Sequence, residues 1–309
     1  MAKVTVVGAG NVGATCANVL AHKDIVKEVV LLDIKGDVAK GKALDTWQQA
    51  PIDYYSTSVI GTDDYADTAG SDIVVITAGI PRRPGMSRDD LISTNAKIVK
   101  TVTENIVKHS DNPIIIVVSN PLDVMTLAAF EASGLDKSRV FGMAGILDTA
   151  RYRAFLATAL DVSPKEIQAV LMGGHGDTMV PLPRYTTVAG IPVTELIDTE
   201  ALDAIVERTK KGGGELVQLM GTSAWYAPGA SVSYLVNAIV NDTKETLPCS
   251  VYLEGEYNAN DLCIGVPSII GRNGFEGVVE FDLSQNELEM FNNSVNAVKQ
   301  TNSALNGLI

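Results

Sequence analysis

The chain holds three histidines, and one of them is placed for chemistry. His175 lies in Gly173-Gly174-His175-Gly176-Asp177, directly after the apolar run 169–172, and its glycine neighbours leave the imidazole open to a ligand. An imidazole titrates unperturbed near neutrality, so it suits a group that takes a proton from a hydroxyl or returns one to a carbonyl. His22, beside Lys23 and Asp24, and His109, before Ser110-Asp111-Asn112-Pro113, read as solvent-facing. A base that becomes cationic is helped by a carboxylate beside it, and Asp148 would serve if the fold brings it near. Asp148 and Arg151 stand three apart in a helical stretch and so share one face, a spacing that also fits a plain intrahelical ion pair.

Arginines supply the second signal. The chain carries 24 Lys+Arg against 37 Asp+Glu, a net charge of −13, yet Arg82, Arg83 and Arg88 fall within seven positions of each other. Two prolines and a glycine at 81–85 make this a loop, and Ser87 with Asp90 three residues on signals a capped helix start. Arg88 then stands in a first helical turn, where the dipole disfavours cations. The guanidinium fork pairs with carboxylates, so the segment reads as a lid that brings positive charge to an acidic substrate; a solvated loop neutralised by Asp89 and Asp90 is the plainer alternative. In the first reading Arg151 clamps a substrate carboxylate, Arg88 polarises a carbonyl and Arg82 meets a second anion.

A dinucleotide site would complete the set. A short apolar run leads straight into Gly8-Ala9-Gly10-Asn11-Val12-Gly13, a G-x-G-x-x-G at a strand-to-helix junction. Its glycines allow the tight turn, the approach of a pyrophosphate and close helix packing, while free N–H groups face the anion. Asp33 closes the next apolar run, 20 residues after Gly13. A carboxylate there accepts from ribose hydroxyls and repels a 2′-phosphate, which favours NAD over NADP. Thr77-Ala78-Gly79 ends another buried run. Asn120-Pro121 ends the run 114–118, where Asn120 reads first as a turn former and also offers an amide to a substrate hydroxyl or a nicotinamide. A nicotinamide cofactor implies hydride transfer, and taking hydride from an alcohol carbon requires a base such as His175.

Positioning these groups takes a particular architecture. Short β-rich runs at 4–7, 29–32, 58–60, 73–76 and 114–118 alternate with helical stretches at 12–26 and 91–107, the pattern of a parallel, doubly wound Rossmann sheet. After residue 145 the texture changes to one helix, a strand at 166–172, and helical stretches to 220 and over 231–241. Strand-like runs at 247–253, 262–266 and 278–283 and a helix from 285 follow. The expectation is an NAD-binding unit over 1–143 and an α+β catalytic unit over 144–309, with Gly212, Gly213 and Gly214 as a flexible interruption. At 46% hydrophobic and 20% charged residues the composition is globular. The acidic balance argues against nucleic acid and anionic membranes as partners. No run reaches about 18 uninterrupted apolar residues, and Cys16, Cys249 and Cys263 form no CxxC, so a reducing cytoplasmic compartment and no metal site are expected.

The whole chain resembles the lactate and malate dehydrogenases, most of all the bacterial malate enzymes that stand close to lactate dehydrogenases. The resemblance rests on the GAGNVG turn, LLD ending in Asp33, ITAG, the arginine loop, VSNP, GILDTARYR and GGHGD. It implies that His175 is the proton acceptor, paired with Asp148, that Arg151 binds the substrate carboxylate and that Arg88 polarises the carbonyl. The position that is arginine in malate enzymes and typically glutamine in lactate enzymes is Arg82, which implies reversible transfer between (S)-malate and NAD, giving oxaloacetate and NADH. A lactate or broad 2-hydroxyacid dehydrogenase is the nearest alternative. NAD-dependent glycosidases share a similar turn but need a metal held by Cys and His, and no cysteine here lies near a histidine in sequence. Implied cofactor contacts are Gly8, Gly10, Asn11, Val12, Gly13, Asp33, Thr77, Ala78, Gly79, Asn95, Val118 and Asn120, with Asn120 also on the substrate. Loop closure and a homodimer or homotetramer are further implications.

Overall fold

The computed structural model describes residues 2–81 and 87–308; the side chains of Arg88 and Ala144 lie outside the description. Six β-branched runs form β1 (Lys3–Val7), β2 (Glu28–Leu32), β3 (Ser58–Thr62), β4 (Ile73–Ile76), β5 (Ile114–Val117) and β6 (Val140–Gly142). They pair in parallel in the order β3-β2-β1-β4-β5-β6, with the reversal of direction between β1 and β4. The crossovers carry α1 (Asn11–Lys23), α2 (Gly36–Asp53), α3 (Arg88–His109) and α4 (Leu122–Ser133). Side chains of a strand alternate between faces, so β4 sends Ile73 and Val75 into one apolar cluster and Val74 and Ile76 into another. Both faces are buried, which is why these strands read as continuous apolar runs instead of alternating ones.

The second half begins with α5 (Ala144–Leu160) and runs through five two-residue strands, β7 (Ile167–Gln168), β8 (Leu171–Met172), β9 (Val180–Pro181), β10 (Thr187–Val188) and β11 (Ile191–Pro192). Helices α6 (Thr199–Met220) and α7 (Tyr226–Val240) lead into the antiparallel strands β12 (Glu245–Glu254), β13 (Asn260–Gly271) and β14 (Gly274–Val278), and α8 (Gln285–Asn302) follows. These long strands extend the parallel sheet to nine strands, because Ser250 of β12 pairs with Gly142 of β6. The sheet edge is thereby covered, and β12 is brought beside α4 and α5.

Three readings of the second half are corrected. The strand expected at 166–172 is two: Gln168 pairs with Thr187 and Met172 with Val180, so different partners claim its two ends. The last strand is Gly274–Val278, not 278–283, because a two-residue turn at Arg272-Asn273 returns the chain at once and the ladder starts at Gly271↔Gly274. Gly212, Gly213 and Gly214 do not interrupt anything; α6 runs through them. Among the described residues no helix is long and apolar enough to cross a membrane.

Candidate active site

The loops at the carboxyl ends of β1, β2, β4 and β5 converge where the sheet reverses direction, the place at which open α/β sheets bind ligands. Gly8 has φ 106°, a left-handed conformation, and a Cβ there would lie 2.6 Å from Thr77 Oγ1. A Cβ on Gly13 would lie 1.8 Å from the Gly8 carbonyl oxygen, so only glycine lets α1 start this close to the turn. A Cβ on Gly10 would meet no protein atom within 4 Å. Gly10 is the N-cap of α1 and supplies no side-chain cap, so no capping side chain accepts from the first N–H groups of the helix. Asp33 accepts from the Ala9 N–H through Oδ2 (2.7 Å) and from the Lys35 N–H through Oδ1 (2.9 Å), which fixes its carboxylate at the rim of the turn. Lys42 reaches from α2 to the Ala9 carbonyl (2.7 Å). This cradle fits a dinucleotide: an anion can approach the bare helix start, and Asp33 keeps lone pairs for ribose hydroxyls.

Neighbouring loops are tied to it. Thr77 Oγ1 donates within reach of the Val7 and Gly8 carbonyls (3.0 and 3.2 Å). Asn95 of α3 is buried; its Oδ1 accepts from the Ile80 N–H (2.9 Å), while Nδ2 donates to the carbonyls of Ile80 (3.2 Å) and Asn120 (2.7 Å). Asn95 thus struts the β4 and β5 loops together with its amide. Ala78 is half-buried and Gly79 exposed at the rim, and the Val118 N–H bonds the Ile76 carbonyl beneath them (2.9 Å). Asn11, half-buried Val12 and Asn120 line the same edge, with Asn11 and Asn120 exposed.

His175 sits in a turn whose consecutive N–H groups are each held from elsewhere. The Gly173 N–H bonds the Gly265 carbonyl (2.8 Å), the Gly174 N–H bonds Ser294 Oγ (2.7 Å), and the His175 N–H bonds Asp123 Oδ2 (2.8 Å). Asp123 lies three residues after Asn120 at the start of α4, so this bond brings the imidazole turn to the carboxyl edge of the sheet. The ring itself is held by Asp148 of α5, with Nδ1 2.8 Å from Oδ2, and Arg151 Nη1 lies 3.4 Å from the other carboxylate oxygen. The Asp148 side chain is 3% exposed, Arg151 14% and His175 20%, so the carboxylate is sealed below a ring that stays accessible. Burial disfavours the imidazolium, but the charge and hydrogen bond of Asp148, with Asp123 adding, outweigh it against Arg151 and raise the His175 pKa above its ordinary value. Arg151 Nε is buried without a hydrogen-bond partner among the described residues, so its guanidinium has donor capacity left over.

His22 and His109 are exposed, and Cys16, Cys249 and Cys263 are buried free thiols. Ser87 and Asp90 form the reciprocal cap that starts α3 at Arg88. Arg82 lies outside the described residues, as does the side chain of Arg88.

Two contributors escaped the sequence reading. Asp123 is the one charged residue in the stretch 122–130, which is apolar but for it and Thr126, and that is the signal that could have found it. Gly212 of α6 is buried, and a Cβ there would lie 3.2 Å from Arg151 Cδ, so the glycine leaves the space through which the arginine extends.

A turn cradle at the sheet reversal together with a carboxylate-held imidazole and a half-buried arginine defines a dinucleotide-dependent oxidoreductase. Residues 2–142 match the lactate/malate dehydrogenase NAD binding domain, and 146–305 match the alpha/beta C-terminal domain of the same group. The chain belongs to the lactate/malate dehydrogenase family. It is 64% identical to the malate dehydrogenase of Cytophaga hutchinsonii over 99% of this chain and 98% of that one. The solved malate dehydrogenase of Salinibacter ruber superposes with a TM-score of 0.95 at 54% identity, covering 99% of this chain and 98% of that chain. A solved lactate dehydrogenase from Cryptosporidium parvum, complexed with lactic acid and NAD, also gives 0.95, at 37% identity over 99% and 98% of the two chains.

Proposed function

We propose that the chain catalyses reversible hydride transfer between (S)-malate and NAD, giving oxaloacetate and NADH. The observation that carries this reading is the Asp148 carboxylate 2.8 Å from His175 Nδ1, in a turn anchored at the carboxyl edge of the sheet. With Nδ1–H facing Asp148, the other ring nitrogen is the free base of the neutral imidazole, a tautomer assigned from the hydrogen-bond pattern. In malate oxidation that nitrogen accepts the hydroxyl proton, and the resulting imidazolium is stabilised by Asp148. In oxaloacetate reduction the imidazolium returns the proton to the carbonyl oxygen. Bound NAD supplies the hydride acceptor, and NADH the donor.

Arg151 holds the carboxylate next to the reacting carbon, Arg88 polarises the carbonyl, and Arg82 pairs with the second carboxylate that distinguishes a dicarboxylate from pyruvate. Residues 8–13, Asp33, 77–79, Val118 and Asn120 form the NAD site, and Asn95 braces it. Residues 1–143 serve as the cofactor half and 144–309 as the half that brings the proton-exchange group. The protein works in the cytoplasm and assembles as a homodimer or homotetramer; the exposed Leu44, Trp47, Ile52 and Tyr54 of α2 and its C-cap support the assembly. NADH oxidation measured side by side with oxaloacetate and pyruvate tests the substrate. Oxaloacetate is expected to win by about 100-fold or more in kcat/KM, the scale of about 3 kcal/mol for one buried charge pair. A preference for pyruvate would make it a lactate dehydrogenase.

A further inference from the structure

We propose that Asp123 is a positioning residue for His175, clamping the imidazole-bearing turn through its backbone N–H while Asp148 holds the ring. The inference rests on His175 being the proton-exchange group. Asp123 is 8% exposed, and each carboxylate oxygen has a donor of its own: Oδ2 the His175 N–H at 2.8 Å, Oδ1 the Ser250 hydroxyl at 2.7 Å. These partners lie 52 and 127 positions away along the chain, so one side chain joins α4, the 173–177 turn and β12.

The His175 N–H can only donate, and with the Ser250 hydroxyl donating to the other oxygen an ionised Asp offers an acceptor at both atoms. Asparagine keeps an oxygen for the His175 N–H only by turning its amide N–H toward the Ser250 hydroxyl, which must then reverse and accept, so the tie survives in a weaker, uncharged form. Burying a charge is costly, and a merely structural tie at this point could use neutral groups.

The carboxylate also acts on the ring by its charge. Around His175 stand Asp148 and Arg151 from α5 and Asp123 from α4; of these, the two carboxylates favour the imidazolium and Arg151 opposes it. Burial pushes the Asp123 carboxyl up, and the Ser250 and His175 donors work against that push. Cys263 of β13 also faces Asp123, but burial first and then Asp123 hold its thiol well above the ordinary value, so it carries no charge. Removing the Asp123 charge therefore lowers the proton affinity of His175.

The test is the pH profile of kcat/KM for malate oxidation at saturating NAD, in the parent and in Asp123→Asn and Ser250→Ala. The parent shows an acid limb from His175. In Asp123→Asn this limb moves to lower pH by about half a unit, short of the one to three units that a charge in direct contact gives, and kcat/KM on the plateau falls about tenfold. The Kd for NADH, read by its fluorescence, stays within about twofold of the parent. Ser250→Ala withdraws one of the two donors that keep Asp123 ionised, so it moves the limb the same way by less and serves if Asp123→Asn does not fold. A limb that stays in place in every folded variant, or an NADH affinity that falls in step with activity, overturns the inference alone. A parent without the limb overturns the assignment of His175 and this inference with it.

Discussion

The glycine triplet of α6 offers a graded test of how Arg151 is placed. A Cβ added at Gly212 stands 3.2 Å from Arg151 Cδ and 3.7 Å from Nε; at Gly213 it stands 3.9 Å from Nη1, and at Gly214 nothing lies within 4 Å. Carbon atoms settle at about 3.5–4.0 Å, so in Gly212→Ala the arginine must retreat by about 0.3–0.8 Å. A misplacement of about 1 Å at a catalytic constellation can cost up to about 100-fold, and the smaller shift is expected to raise KM for oxaloacetate about 3- to 10-fold with kcat less affected. Stability should move the other way, since replacing a helical glycine with alanine contributes about 1 kcal/mol, or about 2 °C in Tm for a chain of this size. Gly213→Ala and Gly214→Ala should gain the same stability with KM unchanged. Steady-state kinetics and thermal melts on the three variants separate the two effects. Equal KM values across the series, with Gly212→Ala stabilised like the others, would refute the claim that the α6 glycine shapes the arginine.

Four other outcomes follow. His175→Asn should cost about 10²- to 10⁴-fold in kcat, the range for losing a general acid–base group, with NADH binding retained by fluorescence titration. In the parent, kcat/KM for malate oxidation should rise with pH through a pKa above the ordinary imidazole value of 6.5, because the neutral ring is the base, while oxaloacetate reduction falls through the same range because it needs the imidazolium. Asp33→Ser removes both the carboxylate that accepts from Ala9 and the charge that repels a 2′-phosphate, so kcat/KM for NAD over NADP should drop by at least about tenfold, on the scale of one charged hydrogen bond; an unchanged ratio would detach Asp33 from cofactor choice. Arg82→Gln should lower the preference for oxaloacetate over pyruvate by about 100-fold, from the several kcal/mol of a carboxylate left without its partner.

The parallel half was legible because its signals are local. A glycine turn after an apolar run, and an acid closing the next run, each lie within one βα unit, and their meaning does not depend on distant packing. The pair Asp148 and Arg151 was legible as a spacing but not as a choice between an ion pair and a site. The structure shows the ion pair and a second bond on the same carboxylate, since one Asp148 oxygen faces His175 and the other faces Arg151. Hidden were the contacts that join segments far apart: the glycines of α6 read as a flexible interruption because their partner is a side chain of α5, and that the antiparallel strands continue the parallel sheet was not visible because a single pairing, Ser250↔Gly142, attaches them.

That single pairing has a chemical consequence. It sets Ser250 beside β6 and α4, where its hydroxyl meets Asp123, and Asp123 in turn holds the His175 N–H. Asn120, at the carboxyl edge of the sheet, and Asp123, under the imidazole turn, belong to the same strand-to-helix corner, so the position of the His175 imidazole relative to that edge is set by a path of only three residues in the chain. Rotation of one half against the other would have to break two hydrogen bonds to a buried carboxylate, each worth about 1.5–3 kcal/mol when the acceptor is charged. The imidazole is therefore carried by the second half of the sequence but registered to the first, as hydride transfer at a carbon and proton transfer at the oxygen it bears would require, since a misplacement of about 1 Å can cost up to about 100-fold.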